Sequence, residues 1–150
     1  MEISLTDSFY RDINTMNKVI SELLVYFKKC KEVIAVYLYG SVVYSKQPHD
    51  IDIAVLVDET KISNSLLYRA HLITELEGLL KFPVDVLILN NANLLFRAQV
   101  FRKGKLIFER NPRIRAKFQA DSMSLYYDYK RYFDFHAKNL CKKIKDVGLG

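Results

Sequence analysis

Residues 37–55 read YLYGSVVYSKQPHDIDIAV and pass from one strand, through a loop, into another. The β-branched and aromatic run from Val33 to Tyr39 stops at Gly40 and Ser41, as a buried strand does. A second apolar run predicts a strand over residues 50–57. The rest of the chain is interpreted around these two strands and the loop that joins them.

Two aspartates open the second strand. Because successive strand side chains alternate between faces, Asp50 and Asp52 project from one face while Ile51 and Ile53 occupy the other. Two like charges held beside an apolar run repel each other and lose hydration, and a divalent cation relieves both penalties. Hard oxygen ligands in small number suit Mg²⁺, and two such ions can serve a reaction in which pyrophosphate leaves. We therefore predict that Asp50 and Asp52 bind magnesium.

Gly40 and Ser41 are the candidate phosphate ligands. A glycine directly after a strand lets backbone N–H groups approach an anion, and a serine adds a hydroxyl donor. An isolated Gly-Ser pair indicates no more than a strand-ending turn. With eight residues between Ser41 and the Asp-x-Asp, the pair instead predicts a polyphosphate site. Lys46 is a further candidate phosphate ligand, with the alternative of a solvated loop residue.

A third carboxylate interrupts the apolar strand predicted over residues 83–89. An unpaired charge is costly to bury there, so Asp85 requires a partner. If this strand lies beside the second one, Asp85 joins Asp50 and Asp52 at one metal site and can also deprotonate an attacking hydroxyl. The alternative is an aspartate at the edge of the sheet that water solvates.

Residue spacing and capping residues predict the other elements. Two helices are predicted over residues 7–30 and 62–80. A third runs through Leu94 and Val100 with Asn91 as its N-cap, and a fourth begins at Pro112 with Asn111 as its N-cap. A further strand is predicted over residues 105–109. This order predicts an α/β or α+β fold, in which helices flank a small mixed sheet of three or four strands. One domain is expected over residues 1–150, with a core at about 7–110 and a C-terminal helical region at about 112–147.

Composition limits the classes of function. No apolar run is long enough for a membrane span, and Cys30 and Cys141 fit neither a disulfide framework nor a zinc site, so we expect a soluble protein of the reduced cytoplasm. Residues 1–96 carry 9 basic and 12 acidic side chains, whereas residues 97–150 carry 14 and 5. The basic C-terminal third favours an anionic partner or is a solvated helix face, and it matches no RNA-binding signature, so direct nucleic-acid binding is not predicted.

The Gly-Ser, loop and Asp-x-Asp pattern, followed by Asp85 in a later strand, resembles the minimal nucleotidyltransferases of the DNA polymerase β superfamily. The segments DVLIL (85–89) and KGKLIFE (103–109) and the C-terminal helix with YYDYK (126–130) resemble the MntA-type antitoxins within that group. The resemblance implies a polymerase β-like fold in which Gly40 and Ser41 hold ATP, Asp50 and Asp52 bind Mg²⁺, and Asp85 is the third acid.

The same resemblance implies an activity and a partner. MntA-like proteins transfer AMP from ATP to a tyrosine of a HEPN-class ribonuclease toxin and so silence it. Here the loop between Ser41 and Asp50 is shorter and less basic than is usual in that family, which favours the alternative of a catalytically weak or inactive antitoxin that acts by binding. A third alternative is nucleotidyl transfer to a small molecule. A single domain argues against it, because a small acceptor usually needs a second protein surface that encloses it and excludes water.

The final helix is the candidate docking surface for the partner. Its tyrosines and phenylalanines occupy more than one helical stripe, and Arg and Lys lie among them, which is typical of protein interfaces. The alternative is that these rings cover the sheet and the first helix.

Overall fold

The computed structural model describes residues 13–40 and 50–146. The element order is the one predicted, with short 3-10 turns at Glu59–Lys61 and Leu89–Asn91. The helices and strands are α1 (Ile13–Lys28), β1 (Val33–Tyr39), β2 (Ile51–Val57), α2 (Ser65–Leu80), β3 (Val84–Ile88), α3 (Leu94–Lys103), β4 (Lys105–Glu109) and α4 (Pro112–Asp146).

The four strands form one mixed sheet in the order β3-β2-β1-β4. β1 is antiparallel to both β2 and β4, whereas β2 and β3 are parallel and are joined through α2. The predicted α/β class, with a small mixed sheet flanked by helices, is confirmed. Because β1 and β2 are antiparallel, the C-terminal end of β1 lies beside the N-terminal end of β2. The strand β3, which is parallel to β2, begins at the same end of the sheet.

Both faces of the sheet are covered, which explains why β2 is almost wholly apolar. Ile51, Ile53 and their alternate neighbours pack with α1 and α2 in the larger core cluster. Ala54 and Leu56 belong to the smaller cluster on the other face, which includes Val100 of α3 and is bordered by Phe118 of α4. Asp52 shares the alternation of Ala54 and therefore lies on the α3 and α4 face.

The capping residue predicted for α3 is wrong. Asn91 lies in the 3-10 turn after β3, and its Nδ2 donates to Ser65 Oγ at 2.5 Å. The N-cap is Asn93, whose side chain accepts a hydrogen bond from Phe96 N at 3.0 Å. Sequence pattern did not separate these two asparagines, because both precede an apolar helical run and only the intervening turn decides which one flanks the helix.

Two predicted helices are shorter than expected. α1 ends at Lys28 and not at residue 30, and its predicted beginning lies outside the described residues. α2 begins at Ser65, because Asn64 is extended and its side chain accepts from Leu67 N. For α4 the predicted N-cap is confirmed: Asn111 Oδ1 accepts from Ile114 N at 3.1 Å. In the described part of the chain, no helix combines the length and the apolar character that a membrane span requires.

α4 has two halves with different surroundings. Its first half packs on α3, where Arg97 stacks over Phe118 and donates to the buried Ser122 Oγ at 3.3 Å. From residue 127 to residue 145 every side chain is exposed. The basic distal half of α4 therefore extends past the sheet.

Candidate active site

The sheet brings two of the predicted acids into one row. Tyr39, the last residue of β1, pairs with Asp52 on β2, and Asp52 pairs with Asp85 on β3. Paired residues on neighbouring strands point to the same face, so these three side chains lie side by side across the sheet. Asp50 immediately precedes β2 and therefore lies at the same end of the sheet as this row. The condition stated for Asp85, that the third strand lies beside the second, is met.

Asp52 is the most perturbed of the acids. Burial, together with the smaller effect of the charges of Asp50 and Asp85, raises the pKa of its carboxyl from 3.8 to about 6. Burial and the same three carboxylates also raise the pKa of the Tyr39 hydroxyl, which keeps the phenol protonated at neutral pH. The row therefore holds more negative charge than its partly buried position favours, which is the electrostatic condition for binding a cation.

Gly40 stands directly against this row. Its φ is +71°, and a Cβ added to it would lie 2.2 Å from Oδ2 of Asp52. A side chain at this position would meet both a strained backbone conformation and a collision with the carboxylate. The turn that ends β1 is thus open to Asp52, as a phosphate site next to a metal site requires. The role of Gly40 as a phosphate ligand stays a prediction, and Ser41 and Lys46 lie outside the described residues.

Asp85 has a partner that sequence reasoning missed. Nη2 of Arg69, in α2, lies 2.7 Å from Oδ1 of Asp85, and Nε of the same guanidinium donates to the backbone oxygen of Val86 at 2.5 Å. Arg69 occupies a helix with no distinctive motif, so nothing in its own segment indicates this contact. β3 is an edge strand and the Asp85 side chain is about half exposed, so Asp85 is in contact with both water and Arg69. Its role at the metal site stays a prediction.

The donor set fits Mg²⁺ in its chemistry. Within residues 13–40 and 50–146, no group of three acidic, histidine or cysteine side chains is arranged as a metal site. Mg²⁺ is commonly held by one or two carboxylates together with water and substrate phosphates. Asp50 and Asp52 meet that requirement without a third protein ligand.

A glycine turn against an Asp-x-Asp strand, with a third aspartate on the adjacent parallel strand, is the arrangement expected of a nucleotidyltransferase. Comparison with known families agrees. The chain belongs to the family described as Polymerase beta, Nucleotidyltransferase, whose model matches residues 21–113.

Solved structures of toxin-antitoxin complexes share the fold. A toxin-antitoxin complex with AMP-PNP matches with a TM-score of 0.67 at 22% identity, and the match covers 81% of this chain and 98% of the related chain. A mutant MntA toxin-antitoxin complex has a TM-score of 0.65 at 25% identity, with coverage of 84% and 97%. A complex of the tri-AMPylated HEPN toxin of Shewanella oneidensis with its MNT antitoxin has a TM-score of 0.61 at 25% identity, with coverage of 83% and 94%.

The predicted resemblance is therefore confirmed: the nucleotidyltransferase domain of this chain is of the MNT type. A search of curated protein sequences finds no significant match.

Proposed function

We propose that this protein is a magnesium-dependent antitoxin that transfers AMP from ATP to a hydroxyl, most suitably a tyrosine hydroxyl, of a HEPN-class partner toxin. The observation that supports the proposal most is the close approach of the Gly40 turn to the Asp52 carboxylate, since this reaction needs a phosphate site next to a metal site. The family supplies the reaction class, and the related complex that contains an AMPylated HEPN toxin supports AMP as the transferred group and a HEPN toxin as the partner.

Each site residue has a distinct role in this reaction. The backbone at Gly40, with Ser41 and Lys46, binds the triphosphate, and Asp50 and Asp52 hold one or two Mg²⁺ ions, which offset charge on the phosphates. The acceptor oxygen forms a bond to the α-phosphorus while the bond from the α-phosphorus to the bridging oxygen breaks, so pyrophosphate leaves with that electron pair. Asp85, at the end of the row, accepts the hydroxyl proton.

The distal half of α4 is the proposed docking surface. Tyr129, Phe133, Leu140 and Ile144 fall at helical steps on one stripe, and the exposed fraction of each side chain is between 39% and 59%. Residues 127–145 also carry six basic and two acidic side chains. Exposed aromatic residues among basic ones are typical of a surface that a protein partner covers.

Labelled ATP tests the proposed transfer. The purified protein, Mg²⁺ and a HEPN-class toxin protein are incubated with ATP labelled at the α-phosphate or, separately, at the γ-phosphate. We expect the partner to acquire the α-label and not the γ-label, and Asp52→Asn to lower transfer by at least about a hundredfold. Glu59→Gln, which neutralises an exposed acid beyond the far end of β2, is the matched control and should transfer normally.

A purely binding antitoxin is the second candidate, favoured by the exposed aromatic half of α4. The two candidates predict different behaviour for the double variant Asp50→Asn with Asp52→Asn. A purely binding antitoxin with these substitutions would still silence the HEPN-class ribonuclease. Absence of α-label on the partner, together with full neutralisation by this variant, would contradict catalysis and support binding.

A further inference from the structure

Arg69 connects α2 to two successive residues of the edge strand β3. Its Nη2 donates to Oδ1 of Asp85 at 2.7 Å, and its Nε donates to the backbone oxygen of Val86 at 2.5 Å. α2 packs with the opposite face of the sheet, so the side chain reaches around β3 to the face that carries the acids. The exposed fractions of the two side chains are 41% for Arg69 and 48% for Asp85.

This geometry determines the direction of one carboxylate. The bond from Nε to a strand carbonyl fixes the plane of the guanidinium, and a planar guanidinium directs its other donors along fixed lines. Asp85 is thereby held by one oxygen, and its second oxygen keeps its lone pairs. An ion pair this exposed contributes little to stability, so the contact does more to orient Asp85 than to stabilise the fold.

Without Arg69, repulsion would displace Asp85. Its neighbours in the row, Asp52 and Asp50, are acids of the same charge as Asp85, and a half-exposed aspartate on an edge strand can rotate into water. A guanidinium on the outer side of Asp85 opposes that rotation.

We propose that Arg69 is a positioning residue of the transfer site, which holds the Asp85 carboxylate in the row with Asp52 so that Asp85 can act on the acceptor hydroxyl. The inference rests on the proposed function. It also assigns Arg69 an electrostatic cost: its positive charge opposes the binding of a divalent cation to Asp50 and Asp52.

Two measurements with opposite signs follow for Arg69→Met, which keeps length but removes charge and donors. The kcat for transfer should fall about 10- to 100-fold, the usual effect of removing a group that orients a functional carboxylate, while KM for ATP changes much less. Binding of Mn²⁺ without ATP, followed by the EPR signal of the free ion, should tighten a few-fold because a nearby positive charge is gone. Arg69→Lys should have a kcat between those of Arg69→Met and the wild type, since lysine keeps the positive charge but lacks the planar guanidinium that binds Asp85 and Val86 together.

The matched control is Arg115→Met. Arg115 pairs with Glu109 at 2.8 Å, at the opposite edge strand β4, so its loss removes a similar ion pair far from the acids. We expect normal kcat and Mn²⁺ binding for this variant.

The outcomes separate the two proposals. A wild-type protein that transfers no AMP contradicts the proposed function, and this inference with it. A wild-type protein that transfers AMP while Arg69→Met keeps the same kcat overturns the role of Arg69 and leaves the proposed function standing. Parallel losses of kcat, Mn²⁺ affinity and melting temperature in Arg69→Met would also overturn it, because they indicate a structural role.

Discussion

Asp52 carries a carboxylate at the start of a strand whose other residues are apolar. Because its pKa is raised from 3.8 to about 6, the folded protein holds this proton more tightly than the unfolded chain does. The groups that face it are the acids Asp50 and Asp85, the Tyr39 phenol and, beyond Asp85, the Arg69 guanidinium. The contribution of Asp52 to stability is therefore present at low pH and is lost as the pH rises from about 4 to about 6.

Asp52→Asn should remove this pH dependence. In buffer with EDTA we expect the melting temperature of the variant to match the wild type near pH 4 and to exceed it increasingly up to about pH 6, with a constant difference above. Thermal melts across this range measure the difference. Asp58→Asn is the control of opposite sign, because hydrogen bonds from Thr60 lower the pKa of Asp58 below 3.8. Relative to wild type this variant should lose stability as the pH rises to about 4, and the difference should stay constant over the range in which Asp52 titrates. A lower melting temperature for Asp52→Asn at pH 7 would mean that the acid supports the fold.

Gly40→Ala tests the close approach of the turn to Asp52. The left-handed conformation costs a side chain about 1–2 kcal/mol, and the collision with Oδ2 adds to that cost, so we expect a clear loss of unfolding free energy and loss of transfer. In the background of Asp52→Ala the collision with Oδ2 is absent. Chemical denaturation of both single variants and the double variant should therefore show a smaller cost for Gly40→Ala in that background. Equal costs in both backgrounds would contradict the contact.

For the helices and strands, the local sequence pattern was enough to predict most of the elements and several of their ends. β1 and β4 have the predicted bounds because a glycine or a polar residue ends each apolar run, and α4 begins where Asn111 and Pro112 indicate. The adjacency of Asp52 and Asp85 followed only conditionally, since strand order depends on long-range pairing that periodicity does not encode. Arg69 was missed for the same reason: its partners are 16 and 17 residues away, across the edge of a sheet.

Two glycines offer a matched test of the packing between elements. Gly104 follows α3, and an added Cβ there would lie 2.5 Å from the backbone oxygen of Val100 and 3.0 Å from that of Leu38. Gly78 lies inside α2 with open space around it. We expect Gly104→Ala to lower the free energy of unfolding by about 1–3 kcal/mol and Gly78→Ala to raise it by about 0.5–1 kcal/mol. Urea denaturation measures both, and a stable Gly104→Ala protein would contradict the tight passage from α3 to β4.

At the scale of the whole molecule, acidic and basic parts are separated. The carboxylate row lies where β1 ends and β2 and β3 begin, and the basic excess is carried by residues 97–150, which include the exposed distal half of α4. Such a layout lets one region bind a cation and nucleotide while another contacts a protein. That residues 1–150 form one domain stays a prediction, which a single thermal transition would support.

The docking surface can be tested with two variants of equal charge change. Leu140→Glu with Ile144→Glu places two negative charges on the apolar stripe, whereas Lys138→Gln with Lys142→Gln removes two positive charges from the opposite side of the helix. Because apolar anchors dominate protein interfaces, we expect the first pair to weaken binding of the HEPN partner at least about tenfold. The second pair should mainly slow association and reduce its salt dependence.

Surface plasmon resonance at two salt concentrations separates these effects, and all the changed side chains are exposed, so neither melting temperature should change. Equal losses of affinity in the two pairs would mean that charge, and not the apolar stripe, determines binding of the partner. Unchanged affinity in both would remove α4 from the interface, and the exposed aromatic stripe would then need another occupant.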